Sequence, residues 1–318
     1  MIIFIDIPTK GQLFYSILHI RTISRNKNVR TFEFIRDNHV TFRNEPVSMN
    51  DFPDYIKSTI SDIFHENTIL EDISTEINLR KVFSQESDWA TLKAFQVKAL
   101  EYAVSYVPLA FEWVTHMTSE YYCDTAIYSI FLDHLFVALC GDERKEMFLS
   151  RNDEFDTRMD VNFNDEKKIF KPKPDGLMGI SSELVMLLFE AKKVNSTQDE
   201  NLFVIIEAIT LLKRLFNGDY LTSPPIFSIY ADGQLFKFYI TYYNENGFSH
   251  DLFKVYNIRE SAMDCWLLCR NIMHHISKLT PEAIQKLKAA VKVNENASIG
   301  VTSFLSPTQA GLKKNKTK

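Results

Sequence analysis

KPKPDGLMGISSELVMLLFEAKK, residues 171–193, is the stretch on which the reading of this chain turns. Within it, Glu183 to Ala191 (ELVMLLFEA) is apolar at successive positions. A strand with no polar face is one buried from both sides in a sheet. Pro174-Asp175-Gly176 carries turn chemistry and follows a short extended segment. Fifteen residues after Asp175 comes Glu190-Ala191-Lys192 at the end of the buried strand. Side chains two apart on a strand share a face, so Glu190 and Lys192 point together and Ala191 points away.

Downstream, the polar loop Asn195 to Glu200 leads into a predicted helix, Asn201 to Phe216, with Leu202, Ile205, Ile206, Ile209, Leu212 and Phe216 on one apolar face. Ile226 to Ala231 reads as a strand, turned by Asp232-Gly233 into a second, Leu235 to Tyr243. Strand–helix–strand from Glu183 to Ala231 is a βαβ unit, which implies two parallel strands. The class is therefore α/β, a mixed sheet flanked by helices. Glu260 to Ile276 and Pro281 to Val291 are predicted helices, and the Ser/Gly/Asn-rich segment from Asn294, ending in KKNKTK, is expected to be a disordered basic tail.

Upstream, Thr118 or Ser119 caps a predicted helix running through Ile127, Ile130, Phe131, Leu135 and Leu139 to Gly141. Short extended segments follow at Met147 to Ser150, Arg158 to Asn162 and Lys168 to Lys171. The first third is α+β in character. Ile2 to Ile7 looks like a strand, and Arg30 to Arg36 with His39 to Arg43 reads as a hairpin about Asp37-Asn38. Asn50 to Glu66 has helical spacing, and Ser87 to Tyr106 is an amphipathic helix that Pro108 should end or kink. Three regions result: 1–117, an accessory region without a motif; 118–293, the domain holding the acids; and 294–318, the tail.

The formal charge of −5 argues mildly against a general nucleic-acid coat, although a locally basic cleft fits an acidic molecule. With 9 glycines and neither a Walker A loop nor a dinucleotide fingerprint, nucleotide-cradling folds are excluded. The opening MIIFIDIPTK lacks the features of a secretory signal, no apolar run reaches membrane length, and four cysteines make no disulfide framework. The expectation is an intracellular protein, nuclear or cytoplasmic, that does not enter a membrane.

An acid following Met186, Leu187, Leu188 and Phe189 is placed at the rim of a core, where charge is costly unless paired. Two carboxylates and an amine there suit phosphodiester cleavage. Carboxylates can hold magnesium, which stabilises charge on the phosphate and yields hydroxide near neutral pH, while a lysine can orient the attacking water. On these residues the chain resembles the PD-(D/E)XK phosphodiesterase superfamily, with its restriction-endonuclease-like fold. The resemblance covers about Thr118 to Tyr243. It implies Asp175 and Glu190 as ligands of Mg²⁺ (or Mn²⁺), joined by the Ala191 carbonyl, with Lys192 positioning the water. Glu120 is the candidate for the further acid that many members carry on the first core helix. The glutamine often found on the helix after the lysine is missing here. The wording KPKPDG…LLFEAKK also resembles hypothetical proteins of early-diverging fungi, a weaker likeness.

Glu143-Arg144-Lys145 and Asp165-Glu166-Lys167 also fit (D/E)xK, but lack the buried strand and following helix. Lys167, Lys168, Lys171 and Lys173 before Asp175, and Lys193 after the strand, either line a cleft that holds phosphates or protect a sheet edge. Lys171, Lys173 and Lys193 are the candidate nucleic-acid contacts, with DNA ahead of RNA. Cys265 and Cys269 read as core residues, because His274 lies about 180° from Cys265 around the helix. Two functions follow: a metal-dependent nuclease, or a nuclease-fold binding module without turnover.

Overall fold

The computed structural model describes residues 39–65, 102–110, 123–137, 147–151, 159–163, 166–170, 174–192, 201–216, 223–244 and 247–299, with 139, 218 and 221. Glu120, Lys171, Lys173, Lys193, the strand expected at Ile2 to Ile7 and the first limb of the N-terminal hairpin lie outside these residues. So do the caps Thr118 and Ser119.

Among the described residues, seven strands form one mixed sheet in the order β1-β9-β8-β7-β6-β5-β2. They are β1 (Val40–Arg43), β2 (Phe148–Arg151), β5 (Gly176–Ser181), β6 (Leu184–Lys192), β7 (Ile226–Asp232), β8 (Leu235–Asn244) and β9 (Gly247–Asn257). A separate two-stranded arm, β3 (Met159–Phe163) and β4 (Glu166–Phe170), precedes β5. The helices are α1 (Asp54–His65), α2 (residues 102–110), α3 (residues 123–137), α4 (Asn201–Leu215), α5 (Ala262–Ser277) and α6 (Pro281–Ile299).

The central prediction is met. β6 is buried from Leu184 through Ala191 and runs parallel to β7, with α4 as the crossover. Phe189 and Glu190, adjacent on the strand, face opposite sides of the sheet. On the Phe189 side lie Tyr128 of α3 and, through Phe227 and His275, α5. On the Glu190 side lies α4, with α6 against it. β5 and β6 form an antiparallel hairpin whose register shifts around Gly179. A Cβ at Gly179 would collide with the Leu184 carbonyl, so the irregularity needs glycine at that spot. Among the described residues no helix is long and apolar enough to cross a membrane.

Several expectations are corrected. Residues 247–257, given no strand from sequence, form the longest strand of the sheet, β9. His39 to Arg43 pairs parallel to β9 as β1, a partner the sequence reading did not foresee; the other limb of the expected hairpin lies outside the described residues. Helix α1 starts at Asp54 rather than Asn50, after a short 3₁₀ turn capped by Ser48. Helix α2 does not end at Pro108 but continues to residue 110, kept in place by burial of Ala103, Val107 and Ala110 along one side. The turn after β7 is Gly233-Gln234, with Asp232 still paired to Leu235 and Gly233 at φ 61°. The tail expected from Asn294 begins in a helix that continues to Ile299. Asn294 itself donates from Nδ2 to the carbonyls of Lys213, Arg214 and Phe216 at 3.1, 2.9 and 2.8 Å. It thereby satisfies orphan acceptors at the C-terminal end of α4.

The described part of the first third is built into this body. Among the described strands β1 lies at one edge of the sheet, and α1 packs on α5. Arg43 donates from Nε and Nη2 to Asp251 at 2.7 and 2.5 Å, and Tyr242 adds a third bond to Asp251 at 2.7 Å. The Asp251 side chain is 0% exposed. Removing one partner of a buried pair strands the other charge, typically costing about 3–5 kcal/mol. Arg43→Met is therefore expected to lower unfolding free energy by about 3 kcal/mol in urea titrations, with Arg43→Met/Asp251→Leu recovering most of the loss. Equal destabilisation in the single and double variants would show that the pair is not what holds β1.

Candidate active site

The acids meet where the β5–β6 hairpin, the C-terminal tips of the parallel strands and α4 come together. Asp175, in the bend just before β5, accepts a hydrogen bond at Oδ2 from the Ala191 amide at 2.7 Å. That bond ties the bend to the end of β6, across from Glu190. Lys192 Nζ lies 3.3 Å from Glu190 Oε2, so the two side chains share a face as the strand period requires. Asp175, Glu190 and Lys192 are brought together as expected.

Glu190 is only 7% exposed. Burial lifts its carboxyl well above the usual carboxylate range. The Glu207 and Asp175 carboxyls push it further up, and Lys192 opposes them. Glu207, on α4, is itself buried and hydrogen-bonded with Glu190. Sequence reasoning passed over Glu207. It is the one charged residue between Leu202 and Leu212, and such a lone acid in an apolar run was the available signal.

A second missed acid is Asp124, four residues after Glu120, which lies outside the described residues. Helix α3 is wound as π-helix over Asp124–Tyr128 and again over Ile130–His134, a form concentrated at functional sites. Asp124 forms an ion pair with Arg151 of β2, while Arg151 Nε stands 3.6 Å from Asp133 and its guanidinium lies 5.2 Å from the Phe189 ring centre. Burial raises the Asp124 carboxyl, Arg151 opposes this, and Asp175 adds repulsion, so Asp124 lies within electrostatic reach of Asp175. From the same helix, the Tyr128 hydroxyl shares its proton between the carbonyls of Lys192 and Gly233, at 2.9 and 3.0 Å. One phenol thus pins both the tip of β6 and the β7–β8 turn.

Among the described residues no group of three or more His, Cys, Asp or Glu side chains is arranged to hold a metal ion. Magnesium rarely requires such a cage. One or two carboxylates suffice when waters and substrate phosphates complete the shell. Hard oxygen donors from Asp175 and Glu190, crowded by like charge, fit that demand. Cys265 and Cys269 are buried on α5 beside Trp266, the core role expected of them. The chain matches no family model, and comparison with curated proteins and with solved structures gives no match.

Because folding favours neutral Glu190, the stability it contributes is complete below the ordinary carboxylate range and is lost as pH rises toward its elevated native value. From about pH 6 to about pH 9 the wild-type melting temperature should therefore fall more steeply than that of Glu190→Gln. Parallel pH profiles for the two proteins would rule out this electrostatic strain.

Proposed function

We propose that this chain has a restriction-endonuclease-like fold and hydrolyses phosphodiester bonds of nucleic acid with the help of Mg²⁺ or Mn²⁺. The observation that carries the reading is the convergence of Asp175, Glu190 and Lys192 at one strand tip, tied by the Asp175–Ala191 hydrogen bond and the Glu190–Lys192 pair. A hairpin, a buried strand, a crossover helix and a parallel strand, in that order, support the fold assignment.

Asp175 and Glu190, with the Ala191 carbonyl, would hold the cation. Bound there, the ion would neutralise charge on the scissile phosphate and supply hydroxide near neutral pH. Lys192, a compact charge already placed beside Glu190, orients the attacking water and stabilises developing negative charge. Tyr128 fixes the backbone that carries Lys192, so the amine is presented from a rigid strand rather than a loop. Ala191→Gly leaves these roles in place, whereas changes at the two acids or the lysine do not.

A second reading has its own observation. Asp175 accepts from the Ala191 amide, and Glu190 has Lys192 and Glu207 beside it, so each acid already has a protein partner. That arrangement suits a nuclease-fold module that binds nucleic acid or protein without turnover.

Labelled DNA and RNA incubated with Mg²⁺, with Mn²⁺ and with EDTA separate the two. The nuclease reading expects cutting that requires the ion and falls at least about a hundredfold in Glu190→Ala and Lys192→Ala, with circular dichroism unchanged. Binding without cutting under every condition would leave the module.

A further inference from the structure

Across the tips of β6, β7 and β8 the register aligns Glu190 with Tyr230 and Tyr230 with Lys237. Cross-strand partners share a face, so all three stand on the side of the sheet that carries the candidate site. One step further along, Lys192 is paired with Asp232. Lys237 Nζ sits 5.4 Å from the centre of the Tyr230 ring and 3.7 Å from Asp232 Oδ2. The second distance exceeds a hydrogen bond, so this is a loose ion pair. The Lys237 side chain is 20% exposed and that of Asp232 25%, against 13% for Lys192 and 10% for Glu190. The amine of Lys237 thus rests on an aromatic face, with about a fifth of its side chain still exposed at the strand tips.

Two strand spacings separate the backbones of Glu190 and Lys237, about 10 Å. At about 3.4 Å of rise per nucleotide, that distance spans a few steps along one strand. A nucleic acid whose scissile phosphate lay at Glu190 and Lys192 would carry another phosphate to Lys237. The side chain has little to lose in the exchange, because its bond to Asp232 is long and an ammonium offers three donors.

We propose that Lys237 is a phosphate-contacting residue that holds a flanking nucleotide of a strand passing the tips of β6, β7 and β8, and that Asp232 restrains it by competing for the same amine. The proposal rests on the nucleic-acid reading of the site. Lys237 positions the substrate and takes no part in bond cleavage, so its effect falls on binding and not on turnover at saturation.

The test uses the full chain with a fluorescein-labelled single-stranded oligonucleotide and its duplex. Affinity is measured in EDTA over a range of salt, and cleavage rates are measured in Mg²⁺. Lys237→Ala should weaken binding several-fold at low salt and flatten the slope of log K against log salt by about 0.7 on the single strand or about 0.9 on the duplex, with kcat unchanged. Asp232→Asn should tighten binding, an effect opposite to that of a lost structural pair, and it keeps the test decisive if Lys237→Ala folds poorly. Unaltered affinity and salt slope in both variants, from a wild type that binds or cuts, would overturn the Lys237 assignment and leave the Asp175/Glu190/Lys192 site standing. A fall in kcat with affinity intact would overturn it as well. A wild type that neither binds nor cuts would remove both.

Discussion

Burial of β6 from both sides is the constraint from which the rest follows. Helices cover each face, so a charged side chain on this strand has room only near the strand's tip. Glu190 occupies that position and is still mostly buried, in a medium where a lone carboxylate is costly. The neighbouring groups can be read as responses to this cost. Lys192 supplies opposite charge from the same face, Glu207 supplies a hydrogen bond, and Asp175 is held close by the Ala191 amide. Two further carboxyls beside a buried one raise the energy of its charged form.

The opposite face of the sheet gives the tip its rigidity. Tyr128 packs edge-on against Phe189 and Phe236 and directs its hydroxyl to the backbone at Lys192 and Gly233. The π-wound helix that carries Tyr128 also aims Asp124 and Asp133 at Arg151, whose β2 strand pairs with β5 beginning at Gly176. A Cβ at Gly176 would stand 2.9 Å from Arg151 Nη1 and 3.2 Å from Phe189 Cβ, so a side chain directly after Asp175 would have to displace the end of Arg151. Acid, turn and arginine are therefore fixed relative to one another by packing. At the far side of the sheet, Arg43 and Asp251 perform the corresponding task for β1, joining residues 208 positions apart in the chain.

Much of this architecture was legible because local pattern and burial agree. An apolar run between turn residues gives β6, a 3.6-residue apolar stripe gives α4, and the turn at Gly233 gives β7 and β8. β9 escaped because its sequence GFSHDLFKVYN places Ser249, His250 and Asp251 in succession, which reads as polar. In the fold all three are buried. Asp251 is neutralised by Arg43. His250, its nitrogen 2.7 Å from the Thr241 hydroxyl and its ring stacked 4.7 Å from Tyr239, is pushed down to about 3 by burial and stays neutral at physiological pH. Partners supplied from distant segments turned a polar stretch into core, and no local rule sees such partners.

What the sequence by itself determined is the ladder of elements from β6 to β8 and the pairing of Glu190 with Lys192 on one face, since both depend on spacing along a single strand or helix. Only the tertiary structure decided that Glu207 and Asp124 approach the same acids, that Tyr128 braces them, and that Lys237 stands two strands away in line with Glu190. Those relations arise between elements. They are set by how a sheet and its helices close over one another, and the periodicity of a single chain segment does not encode which charges that closure will bring face to face.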